Sequence, residues 1–280
     1  MTNPLAKHFR QPAIYIKLPS NGKFYPPNTL IESHTGEYPV YPMTAMDEIS
    51  YRTPDALFNG EATADVIQSC VPNIKSAWEM PGTDFDSVLI AIRIATYGNT
   101  MEIESECPHC TNKNEFEADL RYVLGGIQDV DFTVPLTVGG LEIYFKPLNY
   151  REIHENQISQ FDEQRSIATI ANTSGDERAK LDELHAALKK LSRLSMNAIA
   201  NSIHFIKTDE SAVVTERAHI NEYVEKCDSK DFAIIRDYAI ALKEKTEIKP
   251  LQITCQNPEC QESYETPFTL DSASFFGQSS

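Results

Sequence analysis

The spacing of apolar and polar residues along this chain of 280 residues predicts an α+β fold with short strands. Residues 13–19 alternate as a half-buried strand does, and a turn follows at Ser20-Asn-Gly-Lys. Phe24-Tyr-Pro-Pro then extends the chain again, because a residue that precedes proline avoids helical backbone. We therefore expect residues 1–31 to form an extended arm, which buries little of itself and needs a surface on which to lie.

A compact and mainly helical domain is predicted over residues 32–99. Thr44 and Asp47 have the spacing of a capping box, in which each side chain bonds the other residue's backbone N–H. Thr53-Pro54 has the features of a second helix start, and Asn59-Gly60 has those of its end. These signals predict two consecutive helices at the beginning of the domain.

Two more helices are expected in the same domain. The third covers residues 63–70 and is stopped by Pro72. The fourth is predicted to be capped by Thr83 and to end at Gly98. Because the fourth helix is apolar on nearly all faces, we expect it to be the central buried element. Its apolar residues include Val88, Leu89, Ile90, Ala91, Ile92 and Ile94.

Helical periodicity dominates the second half of the chain. A hairpin over residues 134–145 is predicted to turn at Gly139-Gly140, since glycine accepts positive φ. Beyond it, Asn172-Thr-Ser-Gly-Asp separates two long helices, which predicts a helical hairpin. A leucine stripe in the second helix could form a seam with the first helix or with a neighbouring subunit. The stripe consists of Leu181, Leu184, Leu188 and Leu191.

The remainder of the helical region ends in shorter elements. Residues 202–214 predict a short hairpin, and two helices are expected near residues 215–227 and 229–245. Ser229 is the predicted cap of the last helix, whose apolar face faces the core. The face comprises Phe232, Ile235, Tyr238, Ala239 and Leu242.

The charge balance limits the classes of partner. Lys and Arg number 25 against 41 Asp and Glu, for a net charge of −16. Because phosphate contacts need clustered Lys and Arg, this balance argues against a nucleic-acid-binding body. Residues 1–31 are the exception, since they carry cations and no acidic residue. Such an arm could steer docking onto an acidic neighbour, including another copy of this chain, or be a solvated terminus. Its cations are Lys7, Arg10, Lys17 and Lys23.

Membrane insertion and export are not expected. No run approaches the roughly 20 apolar residues that a membrane span needs. The first ten residues lack an apolar signal region, so we expect the chain to stay in a cytosol. Cysteines in such a compartment are reduced, and paired cysteines there favour metal binding over disulfides.

Two cysteine pairs lie in similar sequence surroundings. Each follows a short alternating run and leads into an aromatic-Glu pair, Phe116-Glu117 or Tyr264-Glu265. Four thiolates are a ligand set that suits a structural Zn²⁺ ion. The pattern therefore predicts one tetrahedral Zn²⁺, which would clamp together the two ends of everything between the pairs. Four free thiols in loops are the alternative. The predicted ligands are Cys107, Cys110, Cys255 and Cys260.

Other reactive side chains have simpler interpretations. The turn that carries Cys107 and Cys110 is called the first knuckle here, and the turn that carries Cys255 and Cys260 is the second. His109 is expected to be a loop residue of the first knuckle. Cys70 and Cys227 are expected to be small buried hydrophobes. His154-Glu155 begins like a metalloprotease helix, but Ile158 stands where the second histidine is required. The chain has neither a glycine-rich phosphate loop nor a Gly-x-Ser-x-Gly elbow. We therefore predict no enzyme activity, no catalytic residue and no small-molecule substrate.

The predicted organisation combines these elements into an α+β fold with a zinc-ribbon-like double knuckle and a large helical insertion between the knuckles. The segments are an extended basic arm over 1–31, a compact helical domain over 32–99, a first zinc knuckle with a hairpin over 100–148, a helical insertion over 149–248, and a second knuckle with a C-terminal tail over 249–280.

Several motifs occur in a fixed order along the chain. Tyr15-Ile-Lys-Leu-Pro-Ser-Asn-Gly-Lys-Phe-Tyr comes first, followed by Val40-Tyr-Pro-Met-Thr-Ala-Met-Asp-Glu. The helix Leu89-Ile-Ala-Ile-Arg-Ile-Ala-Thr-Tyr-Gly then precedes the first cysteine pair, and Phe275-Phe276-Gly277 follows the second. In these motifs the chain resembles the baseplate hub proteins of T-even-like contractile-tailed bacteriophages.

The resemblance implies a structural protein of the phage tail. Its expected role is to link neighbouring baseplate proteins during assembly, at or near the hub, in the virion or as an assembly factor that is not retained. The implied partners are other hub, wedge or tail-tube proteins and copies of the chain itself, brought together in the host cytoplasm. A zinc-ribbon adaptor for nucleic acid or the transcription machinery, and a metallohydrolase, are the alternatives from other functional classes.

Overall fold

The computed structural model describes residues 3–51, 60–172 and 177–268, and it combines helices with small antiparallel sheets. The α+β class expected from the sequence is therefore confirmed. Contacts divide the chain into unit one, residues 1–129 with 246–280, and unit two, residues 130–245. Unit two is thus inserted in the sequence of unit one. The boundaries of the five predicted segments stay a prediction.

The strands are numbered here along the chain. They are β1 (Ile14–Ile16), β2 (Tyr38–Val40), β3 (Thr100–Glu106), β4 (Lys113–Asp119), β5 (Leu136–Val138), β6 (Leu141–Phe145), β7 (Ile203–Lys207), β8 (Val213–Val214), β9 (Leu251–Thr254) and β10 (Ser263–Thr266). The α-helices are α1 (Ala45–Tyr51), α2 (Glu61–Cys70), α3 (Gly82–Tyr97), α4 (Leu120–Gly126), α5 (Tyr150–Asn172), α6 (Glu177–Ser202), α7 (Arg217–Lys226) and α8 (Ser229–Thr246).

The N-terminal arm lies on its own unit. Strand β1 pairs antiparallel with β2, and the alternation of β1 buries Ile16 and, beyond the strand, Leu18. The guanidinium of Arg10 donates to the carboxylate of Asp47 at 3.2 Å and to the backbone oxygen of Ser69 at 2.8 Å. The sequence predicts that the arm needs a surface on which to lie. Helices α1 and α2 and strand β2 supply that surface.

The helical signals near the arm are largely confirmed. The Thr44 backbone N–H donates to the Asp47 carboxylate at 2.7 Å, and the Asp47 N–H donates to the Thr44 hydroxyl at 3.2 Å. This is the predicted capping box at the start of α1. The second predicted helix, from Thr53-Pro54 to Asn59, lies outside the described residues. Helix α2 covers the third predicted helix and begins slightly earlier.

Helix α3 is the buried centre of the N-terminal part, as expected. Gly98 ends it at a φ of 96°, with its N–H bonded to the Ile94 carbonyl at 3.0 Å. The prediction of Thr83 as the cap is wrong, because Thr83 lies within the helix and no side chain caps it. Pro81 precedes the helix instead, and its carbonyl accepts the Asp84 N–H at 2.9 Å. The buried apolar residues of α3 are Val88, Leu89, Ile90, Ala91, Ile92 and Ile94.

Unit two is built on the antiparallel sheet β5-β6-β7-β8. Gly139 and Gly140 form the predicted turn between β5 and β6, with φ values of 56° and 82°. The predicted short hairpin is formed by β7 and β8. One side chain differs from expectation at α8, where Asp228, not Ser229, accepts the Lys230 N–H at 2.8 Å. An aspartate one residue earlier therefore replaces the predicted serine cap.

The helical hairpin is also confirmed, since α5 packs against α6. Its connection at residues 173–176 lies outside the described residues. The leucine stripe of α6 is divided between two environments, because Leu184 and Leu191 are half-buried while Leu181 and Leu188 are 52% and 47% exposed. No helix in the described ranges has both the length and the apolarity required to cross a bilayer.

Candidate metal centre

The first cysteine pair occupies the loop between β3 and β4. The Cys107 N–H donates to the Asn112 carbonyl at 2.9 Å, and the Thr111 N–H donates back to the Cys107 carbonyl at 2.8 Å. Thr111, directly after the second cysteine, has a positive φ of 56°. This tight turn brings Cys107 and Cys110 to the same side of the loop.

The second pair repeats this arrangement between β9 and β10. The Cys255 N–H donates to the Glu262 carbonyl at 2.9 Å, which matches the Cys107 bond in the first loop. Gln261, directly after Cys260, has a φ of 50° and occupies the position of Thr111. Four residues separate the cysteines here and two separate the first pair. The two loops therefore reach the same local backbone in spite of their different spacing.

The four sulfur atoms converge, since all of them lie within 4.8 Å of one another. The Sγ atoms of Cys107 and Cys260 are 3.9 Å apart, and those of Cys110 and Cys255 are 3.5 Å apart. Tetrahedral ligation with Zn–S bonds of about 2.3 Å places sulfurs about 3.8 Å apart. A disulfide would bring two sulfurs to about 2.05 Å, so the four cysteines are free thiols.

The electrostatics of the cluster favour a bound cation. The backbone N–H of Asn112 is the main cause that lowers the pKa of the Cys110 thiol to about 7. The Glu262 N–H also favours the thiolate of Cys260, but burial and the other three sulfurs raise its pKa to about 12. Four sulfurs this close cannot all ionise alone, because like charges oppose each other. A divalent, thiophilic ion offsets that repulsion, and the donor set fits Zn²⁺.

The sequence of the chain matches a known protein family over nearly its full length. The model of the T4 bacteriophage base plate protein family matches residues 13–277, which include both cysteine pairs. The chain belongs to this family. No match was found among curated proteins, and none was found among solved structures. The resemblance to phage baseplate proteins, which the ordered motifs indicated, is thus confirmed over nearly the full length.

Strands β3 and β4 form one two-stranded ribbon, and strands β9 and β10 form another. In this baseplate protein, hydrogen bonds between polar side chains join the two ribbons beside the cysteines. The Ser105 hydroxyl on β3 bonds the Thr266 hydroxyl on β10 at 2.9 Å. The Asn114 amide on β4 donates to the Tyr264 hydroxyl on β10 at 3.0 Å. Ser105 and Asn114 were not singled out from the sequence. The alternation of β3 and β4 marks both as inward-facing, but it carries no information about their partners.

The outer face of the β3–β4 ribbon is acidic. Glu102 pairs in register with Glu117, and Glu104 pairs with Glu115, with all four side chains exposed. Like charges directly opposite each other on neighbouring strands are destabilising. The same face repels nucleic-acid phosphates, which need Lys and Arg clusters.

The other predicted residues lie apart from the sulfur cluster. His109 is exposed in the first loop, as expected of a loop residue. Cys70 is buried in α2, and burial raises the pKa of its thiol to about 12. Cys227 is half-buried and its thiol contacts the Val224 carbonyl at 3.6 Å. Within the described part of the chain, the four converging cysteines form the one group of His, Cys, Asp or Glu side chains suited to a metal ion.

Proposed function

We propose that this baseplate protein is a non-enzymatic component at or near the tail hub that links neighbouring baseplate proteins during assembly. The observation that carries this proposal is the family match over residues 13–277. That match supports a structural role in the virion's tail baseplate, among other baseplate proteins. Hub and wedge proteins, tail-tube proteins and further copies of the chain are the partners we propose, with assembly in the host cytoplasm.

The proposed cofactor is one structural Zn²⁺ held by Cys107, Cys110, Cys255 and Cys260. The sulfur separations of 3.5 and 3.9 Å and the paired loop geometry support this assignment. When bound, the ion supplies four strong bonds and no reaction, since catalytic zinc sites keep an open position for water. It would join the two parts of unit one that flank unit two in the sequence.

A role as an adaptor on nucleic acid is less well supported. Zinc ribbons of that class need basic surroundings, whereas the outer face of the β3–β4 ribbon carries the paired glutamates described above. The net charge of −16 also opposes long-range attraction between this chain and nucleic acid. Salt-sensitive binding of the purified chain to DNA or RNA would favour the adaptor.

The test is to quantify the chain and zinc together. Purified virions are analysed by quantitative mass spectrometry, and the isolated protein is analysed for zinc by elemental assay under reducing conditions. We expect the chain in a fixed ratio to other baseplate proteins and one zinc per chain. A chain absent from virions, but required for tails to form, would replace the virion component with an assembly factor. Normal tails without the chain would overturn both versions.

A further inference from the structure

Asn114 lies on β4 close to the sulfur cluster and is completely buried. Its strand neighbours Lys113 and Glu115 are exposed, so alternation turns the Asn114 side chain inward. A buried amide is costly unless its donors and acceptors are bonded. The partners of this amide therefore explain why a polar residue occupies an interior position.

The amide connects the two ribbons through both of its polar atoms. Its nitrogen donates to the Tyr264 hydroxyl on β10 and to the Asn112 carbonyl, each at 3.0 Å. Its oxygen accepts the backbone N–H of Gln256 at 2.9 Å and the Asn112 side-chain amide at 2.8 Å. Gln256 directly follows Cys255, so one side chain of the first ribbon holds the loop of the second.

These bonds do not depend on the protonation of the cysteines. The Asn114 oxygen is also 3.7 Å from Cys255 Sγ, which is a weak contact that a thiol can donate and a thiolate cannot. Metal binding requires the thiolate, so this contact is lost at that point. The bonds to Gln256 and Tyr264 remain, and they place the backbone from which Cys255 projects toward Cys110.

We propose that Asn114 is a positioning residue for the metal centre, which holds the Cys255 loop in the geometry that completes the four-sulfur site. This proposal rests on the proposed zinc function. Residues beyond the ligands commonly orient metal ligands, and their loss typically lowers metal affinity about 10- to 100-fold. Asn114 differs from a ligand because it touches the backbone beside Cys255 and leaves all four sulfurs free for the ion.

The test compares Asn114→Ala with Ser105→Ala in the full-length chain. Both substitutions remove a bond between the same two ribbons, but the Ser105–Thr266 bond touches no residue of the cysteine loops. We expect Asn114→Ala to raise the Kd for Zn²⁺ by about 10- to 100-fold in competition with a chelator. It should also broaden the Co²⁺ absorption spectrum and speed hydrogen exchange at the Gln256 amide. Ser105→Ala should leave the Kd, the spectrum and that amide unchanged.

Equal losses of affinity in the two variants would overturn the proposal, since Asn114 would then act only through general ribbon stability. An unchanged Kd in Asn114→Ala would also overturn it. If that variant does not fold, Tyr264→Phe decides, because it removes one partner of the Asn114 amide and keeps the ring. We then expect a smaller increase of the Kd with the same spectral change, and wild-type values would contradict the proposal. A wild-type chain that binds no zinc would overturn the zinc function itself.

Discussion

The knuckle region of unit one and the core of unit two hold short antiparallel strands together by different means. In unit two, the sheet β5–β8 packs on helices through a continuous cluster of buried apolar side chains. Near the cysteines, the buried cluster consists of Cys107, Cys255 and Tyr264, with only a few half-buried neighbours. The cluster in unit two comprises Val138, Ile143, Phe145, Ala200, Ile203, Ile206, Ile220, Val224, Ile235 and Leu242.

This difference predicts how each region withstands perturbation. Burial of apolar surface offsets the conformational entropy of unit two, because its core is large enough. Two small ribbons cannot gain as much from burial, so polar bonds and the proposed Zn²⁺ have to hold them. The two regions should therefore respond separately to metal removal, core truncation and pH.

Removal of the proposed Zn²⁺ should have the largest effect. Zinc contributes about 10–16 kcal/mol of apparent binding free energy to the folding of zinc-finger peptides. We expect chelation, or Cys107→Ser, to abolish hydrogen-exchange protection in β3, β4, β9 and β10 and to leave β6 and β7 protected. Exchange measured by mass spectrometry on loaded and stripped protein tests this. Cys227→Ser, outside the cluster, is the control and should change neither region. Equal loss of protection in both units would break the comparison.

Truncation of the core should show the reverse pattern. Ile235 is completely buried in the cluster of unit two. Ile235→Ala should lower the free energy of unfolding of unit two by about 2–5 kcal/mol, because it leaves a cavity. Denaturant unfolding followed by exchange measures this, while the zinc content should stay constant. Ile240→Ala on the same helix is the matched control, since Ile240 is 45% exposed and should tolerate the change. Loss of zinc in Ile235→Ala would show that the knuckles depend on this core.

Acidification should have two opposite effects on the stability of unit one. Protonation of the thiolates would release the proposed Zn²⁺ and destabilise the knuckles. Asp84 in α3 is completely buried, and burial raises the pKa of its carboxyl to about 6. The neutral form of this carboxyl is therefore more strongly favoured in the folded state than in the unfolded state. The carboxyl destabilises the fold above pH 6, and this cost disappears as the pH falls toward the unfolded pKa of 3.8.

The Asp84 effect is isolated by comparing the wild-type chain with Asp84→Asn, because the zinc term is common to both. The stability of the variant relative to wild type should be greater at pH 7 than at pH 4 by about 2 kcal/mol. Urea unfolding of unit one across this pH range measures the difference. A difference that is constant with pH would mean that the hydrogen bonds from Ser20 and Tyr25 hold the carboxylate ionised.

The smallest expected effect compares the two knuckles with each other. Thr111 and Gln261 have positive φ without being glycine. Thr111→Gly and Gln261→Gly should each stabilise the knuckle region by about 1 kcal/mol, since the strain of a left-handed residue exceeds the entropy cost of glycine. Thermal unfolding of the loaded protein measures both. Thr254→Gly in strand β9 should instead be destabilising, and unequal effects of the first two would show that the knuckles are not equivalent.

Features set by a few neighbouring residues could be predicted from the sequence. The Thr44–Asp47 capping box and the Gly139-Gly140 turn are confirmed because both partners lie within four positions of each other. The predicted caps at Thr83 and Ser229 are wrong because another nearby residue precedes each helix. Asp228 offers an equally suitable side chain next to the predicted cap, and Pro81 lets α3 begin without one.

Bonds between distant residues could not be predicted. The Asp84 carboxylate accepts the Ser20 hydroxyl at 2.6 Å and the Tyr25 hydroxyl at 2.9 Å, and nothing in the pattern of α3 indicates these partners. Arg217 of α7 likewise donates to the Ile203 carbonyl at 2.6 Å. Spacing in the chain carries no record of such pairs, because they depend on how elements pack.

For this baseplate protein, residue types and short-range spacing were enough to predict the α+β class, the turns and the four cysteines that converge, and the order of the motifs gave the resemblance to its family. The ability to bind a metal belongs to the cysteine side chain itself, so a pair of cysteines can be recognised from the sequence without knowledge of the fold. The register between the two ribbons is a different matter, since it depends on Asn114 reaching Gln256 and Tyr264 across a long stretch of sequence. Packing in three dimensions alone brings those atoms within hydrogen-bond distance.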